Sequence, residues 1–406
     1  MYLILYVQYT MNLTSAQFAM ISGAMILCMV WDAINDLLMG IIIENTHFKM
    51  GKFKPWILAG SLTNAIVIVC LFTIRPSGWG FVAFYSLFYL LWGMTYTMND
   101  IAYWGVLPSL SSDPGTRDSL VTIMSIFVCI GQFSVAGVVP VVIAGNAVKA
   151  YRIVAVVVAL CLIAFQMLTA FGIKENDREE QKDKLSLKDM YLIFMRNDQL
   201  VAAGIASIFF NITCNILIIF GVNFFYIEYG YSESGNLVFY FTVMYGLGML
   251  ISQASYATPA KHFTRQKMLN VCFAALLIGY ACFMGFGYVL PKNVVLLNAI
   301  GFVIFFFQGL MNLVIIVMIN NTIEYDEARF HERHDSVISA VRSFSVKLAG
   351  GINQGLSTLV LIVSGIYAKS RSISALEIEV NRGEISSEAA LAEANRYIGE
   401  ITTAQG

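Results

Sequence analysis

Ten apolar stretches follow one another along this chain, over residues 16–43, 56–74, 80–108, 119–143, 151–173, 200–226, 236–257, 268–290, 294–320 and 338–366. Each is about long enough to cross a bilayer as a helix, which takes about 20 apolar residues. In hydrocarbon a backbone N–H or C=O has no partner outside its own helix, so long apolar runs of this kind are helices. A water-soluble fold could not hide so much apolar surface. Of the 406 residues 58% are hydrophobic and only 13% charged, and the mean hydropathy is +0.71. The expected class is an all-α protein that crosses a membrane many times. A net charge of −1 gives no field to attract nucleic acid, so no such partner is expected. Cys28, Cys70, Cys129, Cys161, Cys214, Cys272 and Cys282 stand singly in apolar stretches. Without a C-x-x-C pair or a Cys/His cluster, neither a disulfide framework nor a metal cofactor is expected.

Basic residues set the orientation. Lys49, Lys52, Lys54, Arg117, Lys174, Arg178, Lys182, Lys184, Lys188, Arg196, Lys261, Arg265, Lys267, Arg329 and Arg333 fall in one set of alternate loops. The other short loops hold only Arg75, Lys149 and Lys292. The first set is expected to face the cytoplasm of a cell (inner) membrane. The longest interior charged stretch, 174–199, reads as a cytoplasmic linker between an N-terminal bundle (1–173) and a C-terminal bundle (200–366). The basic turns 49–54 and 261–267 are a weak echo of two related halves, a design known among transporters. Residues 1–10 are apolar but too short to span, and lack the basic region and cleavage site of a signal peptide. They read as the second half of a helix whose first half is absent. Residues 367–406 read as a polar extracytoplasmic tail, with 377–401 as a possible amphipathic helix and no twelfth span.

A charge near the bilayer centre costs at least ~3 kcal/mol, so an ionisable residue deep in a span should face a bundle interior or a cavity. Asp32, Asp36, Asp100, Arg342 and Lys347 are the five such residues. Asp32 and Asp36 are one helical turn apart and share a face, with Asn35 beside them. Two carboxylates and an amide oxygen form a patch that suits a hard cation such as Na⁺. The repulsion between the two acids also lets the pair hold a proton, and Asp36 has the plainer option of pairing with the following basic loop. Tyr96, Asp100 and Trp104 are spaced by four and line one face, with Thr97 alongside. An acid flanked by aromatics can accept hydroxyl hydrogen bonds while the rings cover the C–H side of a sugar; Trp104 alone could equally belong to an interfacial belt. Lys347 lies too deep to snorkel easily and is expected to reach the carboxylates. Arg342 is nearer the span's end and can snorkel.

Several of these residues stand in longer motifs. Trp31-Asp-Ala-Ile-Asn-Asp36 with Gly40 and Gly51-Lys-Phe-Lys-Pro-Trp-Ile-Leu58 resembles the signature of the glycoside–pentoside–hexuronide:cation symporter family, which includes the melibiose permeases. Leu91-Trp-Gly-Met-Thr-Tyr-Thr97 with Asp100 and Trp104, Asn197-Asp-Gln-Leu200, Glu324-Tyr325 and Val346-Lys347 are similar to further family motifs. The resemblance spans about residues 1–366. It implies a major-facilitator fold of two six-helix bundles alternating between inward-open and outward-open states, with cation ligands on Asp32, Asn35, Asp36 and Thr97 and a charge partner on Lys347. It implies sugar binding by Asp100, Tyr96 and Trp104. Three positions depart: the sugar-binding acid of helix one would precede Met1, an arginine of helix five falls on Ser125, and a tryptophan of helix ten on Asn312. Arg342 is a candidate substitute for that arginine, which would favour an anionic sugar such as a hexuronide.

The expected function is symport of a sugar or glycoside with Na⁺ or H⁺, by a monomer in a lipid bilayer and with no cofactor besides the coupling ion. Cation binding would change the charge balance among Lys347, Asp32 and Asp36, and so preorganise the sugar site on the helix that carries Thr97. The basic turns 49–54 and 261–267 would pair across the bundles in one state only. An enzyme is not expected, since no span contains a histidine. A truncated, non-transporting paralogue and a carrier of another polar-headed solute are the alternatives. His331 and His334, with Glu324, Asp326 and Glu332 nearby, read as a solvated loop rather than a metal site.

Overall fold

The computed structural model describes residues 2–46, 48–106, 110, 114–143, 146–173, 192, 195–231, 234–286, 289–330 and 335–401. Over these the chain is helical. In order the helices are α1 (Tyr2–Thr10), α2 (Ser15–Glu44), α3 (Lys54–Thr73), α4 (Trp79–Gly105), α5 (Pro114–Val142), α6 (Ala147–Gly172) and α7 (Asp198–Tyr229). There follow α8 (Ser234–Ser255), α9 (Ala257–His262), α10 (Arg265–Met284), α11 (Val294–Phe330), α12 (Asp335–Val363), α13 (Ile366–Arg382) and α14 (Ser387–Gly399). Among the described residues nine helices are long and apolar enough to cross a membrane. The expected span at 119–143 falls in α5, whose described apolar part is Phe127–Val142.

Local chemistry places the helix starts. Thr14 and Gln17 form a capping box on α2, and Pro55 occupies the first turn of α3, where a missing N–H costs nothing. Asn146, Asn197, Thr264 and Ser386 cap α6, α7, α10 and α14 through their side-chain oxygens. The connections alternate between two ends of the molecule. Because each long helix carries the chain across, the described turns at 48–53 and 256–264 fall at one end, the basic end, and those at 74–78 and 364–365 at the other, the far end.

α2 packs on α4, and α3 on α4 and α6; α7 packs on α11 and α12, and α11 also on α8 and α10. The two groups meet where α2 packs on α12 and α5 on α8. Small residues permit the closest crossings. A Cβ on Gly60 would lie 2.6 Å from the backbone nitrogen of Asn99, and one on Gly235 would lie 2.7 Å from the Pro140 carbonyl oxygen.

Two segments differ from a plain reading of their sequence. α1 is buried from Ile4 through Thr10, because it is wrapped by α2, α6 and α13. The single amphipathic helix suggested for 377–401 is instead two. α13 starts earlier, at Ile366, and ends at Gly383, whose left-handed φ of 75° stops it; α14 starts at the Ser386 cap. Both are packed. α13 buries Tyr367, Ser370, Ile373, Ser374, Glu377 and Val380 on one stripe, and α14 buries Ala390, Ala394 and Ile398.

Candidate functional site

α2 lies between α4 of its own group and α12 of the other, so its polar face meets both. Thr97 of α4 is buried, and its Oγ1 lies 3.0 Å from Asp32 Oδ1 and 3.1 Å from Asp36 Oδ1. A hydroxyl carries one proton, so Thr97 can donate to only one carboxylate at a time. Lys347 of α12 takes the other two oxygens: its Nζ is 2.9 Å from Asp32 Oδ2 and also pairs with Asp36 Oδ2. Gly93 of α4 faces this cluster, where a Cβ would meet Asp32 Oδ1 at 3.6 Å, an ordinary contact. Two carboxylates and one ammonium leave the cluster with one net negative charge. About a quarter of each of the three side chains is accessible (23% for Lys347, 25% for each Asp), so a small ion can reach it.

Asn35 is on the same helix but buried, and its Nδ2 has no hydrogen-bond partner. The three oxygens of Asp32, Asp36 and Thr97 suit a monovalent hard cation, which needs oxygens and tolerates irregular geometry; Asn35 can add only its amide oxygen, because the orphaned Nδ2 is a donor.

One turn further along α4, the side chains of Trp104 and Tyr96 both reach the Asp100 carboxylate, which also lies in the field of Asp36 and Lys347. Tyr96 is 50% exposed and Trp104 39%. They continue a ladder on one face of α4. Ring centroids are 6.1 Å apart for Tyr85–Tyr89, 5.4 Å for Tyr89–Trp92 and 6.1 Å for Trp92–Tyr96. Tyr85 and Tyr89 are buried. This face is therefore packed towards the far end and open towards the basic end, where Asp100 sits. A carboxylate beside two partly exposed rings can bind a polyhydroxylated ring, accepting hydroxyl protons at the acid and covering C–H groups with the aromatics.

Polar side chains close the far half between the two groups. Gln354 Nε2 donates to Ser22 Oγ at 2.9 Å, and Ser22 also pairs with Thr358. Gln8 Nε2 and Tyr9 OH both donate to Asn223 Oδ1, at 2.9 and 2.6 Å. A search for ionisable residues alone passes over these, although neutral amides within apolar stretches are themselves a signal of helix–helix contact.

Thus Asp32, Asp36, Thr97 and Lys347 form one cluster, Asp100, Tyr96 and Trp104 a second one turn away, and Asn35 adjoins the first without a bond from its Nδ2. The side chains of Arg342, Ser125 and Glu324 lie outside the described residues, as do His331, His334 and nearly all of 174–199. The Asn197 motif has a structural role: its side chain caps α7 at Leu200 N and donates to the Thr322 carbonyl of α11 at 3.2 Å. Next to it Asp198 accepts from Tyr325 OH at 2.8 Å and from Arg329 at 3.1 Å.

Residues 1–380 match a family model described as MFS/sugar transport protein. The lactose permease of Lactobacillus helveticus is 26% identical over 366 residues, covering 86% of this chain and 56% of that protein. The putative glycoside/cation symporter YagG of Escherichia coli (strain K12) is 21% identical over 356 residues, covering 86% of this chain and 75% of that protein. The chain spans only a little over half the length of the lactose permeases it matches. Among solved structures, a bacterial homologue of the human lysosomal transporter Spinster, in an inward-facing and unoccupied conformation, superposes with a TM-score of 0.63 at 12% identity. It covers 97% of this chain and 88% of that one.

Proposed function

The chain belongs to the MFS/sugar transport protein family, and on that premise we propose that it carries a sugar or glycoside across a membrane together with a monovalent cation. Carriers, not enzymes, are what the matched family and relatives comprise. One observation carries the reading. Two carboxylates of one bundle share a lysine from the other on one side and a threonine of their own bundle on the other, one helical turn from an acid flanked by aromatics.

The cation is a co-substrate, Na⁺ or H⁺, held by Asp32, Asp36 and Thr97 with Asn35 alongside. Before it binds, Lys347 offsets part of the paired negative charge and ties α12 to α2. A cation at the Oδ1 atoms of the same two carboxylates takes over that role and loosens the link between bundles. Thr97 and Asp100 are on one rigid helix, so a cation that draws α4 towards α2 also places Asp100, Tyr96 and Trp104 for the sugar. Binding of either ligand then strengthens binding of the other by the same factor. Three carboxylates against one ammonium favour a neutral sugar; Arg342 is the candidate for accepting an anionic one. The membrane is a cell (inner) membrane, with the basic end and the 174–199 linker in the cytoplasm and the exposed Tyr96 and Trp104 rings towards that side. One chain, acting as a monomer, contains both sites.

The test is equilibrium binding of a panel of galactosides, xylosides and hexuronides to the purified chain, across Na⁺ concentrations and, without Na⁺, across pH. Affinity for one sugar class should rise with one cation, and stay flat in Asp36→Asn. Sugar affinity independent of every cation would refute coupling, and no sugar binding under any condition would refute the carrier reading.

A further inference from the structure

α13 follows α12 after a two-residue turn in which Gly365 has a φ of 79°, so it is covalently rooted in the second bundle. Two contacts at Tyr231, beside the α7–α8 turn, hold α13 and α14 there. Tyr231 OH donates to Glu377 Oε1 at 3.0 Å, and the Tyr231 N–H donates to Asn395 Oδ1 of α14 at 2.7 Å. Lys369 and Glu400 join α13 to α14.

The same helix also contacts the first bundle. The Tyr367 ring stacks on Phe18 at 4.2 Å with 17° between planes, and its OH donates to the Leu13 carbonyl at 3.2 Å. Gln8 Nε2 donates to Ser370 Oγ at 2.9 Å, and Arg371 Nε to Asn12 Oδ1 at 2.6 Å. The Ala147 N–H donates to Glu377 Oε2 at 2.7 Å. Ala147 is the first residue of α6, where backbone N–H groups lack an intrahelical acceptor and the helix dipole is positive. Asn146 caps only Lys149 N, so Glu377 supplies the Ala147 cap from the opposite bundle. Glu377 is 3% exposed and accepts from both bundles at once.

We propose that α13 and α14 form a lid that rides with the second bundle and latches onto the first. Glu377, Arg371 and Tyr367 leave Ala147, Asn12 and Leu13 each time the far end opens. The bonds suit a reversible latch. When they part at the far end, water can replace each partner, so none is left buried and unpaired. The lid rests on the carrier reading, because only an alternating carrier has a far end that must open.

Two measurements test it in a chain whose seven cysteines are replaced. In the first, Asn12→Cys and Arg371→Cys are joined in reconstituted vesicles by a short reducible bis-thiol reagent. Cross-linking should abolish sugar uptake, and reduction should restore it, which separates locking from misfolding. Uptake that is equal before and after cross-linking would overturn the lid. In the second, which needs no sugar, a membrane-impermeant maleimide is applied from the lid side to Ser22→Cys beneath it. Adding Glu377→Ala should speed labelling at least about tenfold, about 1.4 kcal/mol towards the open state; an unchanged rate would overturn the latch. If the reduced pair carries no sugar, the carrier reading fails there, and the labelling rate still decides the lid.

Discussion

Replacing Lys347 by methionine removes the charge that, among the described residues, α12 contributes to the cluster and keeps most of the side-chain volume. The Oδ1 atoms of Asp32 and Asp36 both lie within 3.1 Å of the same hydroxyl, so they are at most about 6 Å apart. At an effective dielectric constant near 20, two like unit charges at that distance repel by about 3 kcal/mol. In the parent Lys347 relieves most of this; in the variant only a bound cation can. The full ~3 kcal/mol would be about a hundredfold in affinity. Solvent reaches a quarter of each carboxylate, so a gain nearer tenfold is expected. The assay is titration of the purified variant with Na⁺, and with H⁺ in Na⁺-free buffer, following tryptophan fluorescence from Trp92 and Trp104. Cation affinity should rise while uptake in vesicles falls, because the unloaded carrier must reorient with two uncompensated carboxylates and without the α2–α12 tie. If cation affinity instead drops or stays the same, Lys347 is not competing with the cation and the proposed exchange is wrong.

Thr97→Val, which removes the hydroxyl at constant volume, should weaken cation binding about tenfold, the worth of one charge-assisted hydrogen bond; cation titration without sugar reads this. Asp100→Asn should abolish measurable sugar binding yet leave the sugar-free cation titration unchanged, and parallel loss of both would mean the two sites are one. Gly60→Ala should sharply lower the thermal unfolding temperature in detergent, because its new methyl would lie 2.6 Å from the Asn99 backbone nitrogen; a change of under a degree would count against the α3–α4 crossing. Asn197→Ala should cost about 1–2 kcal/mol of stability through the lost cap, visible as a lower unfolding temperature with sugar affinity unchanged.

Much of this protein can be read from the order of its residues. Apolar length specifies membrane-crossing helices because hydrocarbon punishes every unpaired backbone group, and the helix limits follow from caps such as Thr14, Asn146 and Asn197. Ionisable residues inside the spans must find partners inside the bundle for the same energetic reason, and the structure puts Asp32, Asp36 and Lys347 in contact. What sequence periodicity could not supply is which oxygen faces which partner. The 311-residue separation of Asp36 and Lys347 is bridged only because α2 and α12 are the helices that meet, and Asn35 adjoins the cluster with its Nδ2 unbonded. The same limit hid the role of residues 366–399. Their polar composition reads as a solvated tail, since helices that do not span need not be apolar. Only in three dimensions do Glu377, Tyr367 and Arg371 find Ala147, Leu13 and Asn12, groups from the opposite bundle whose unpaired donors and acceptors no local pattern announces.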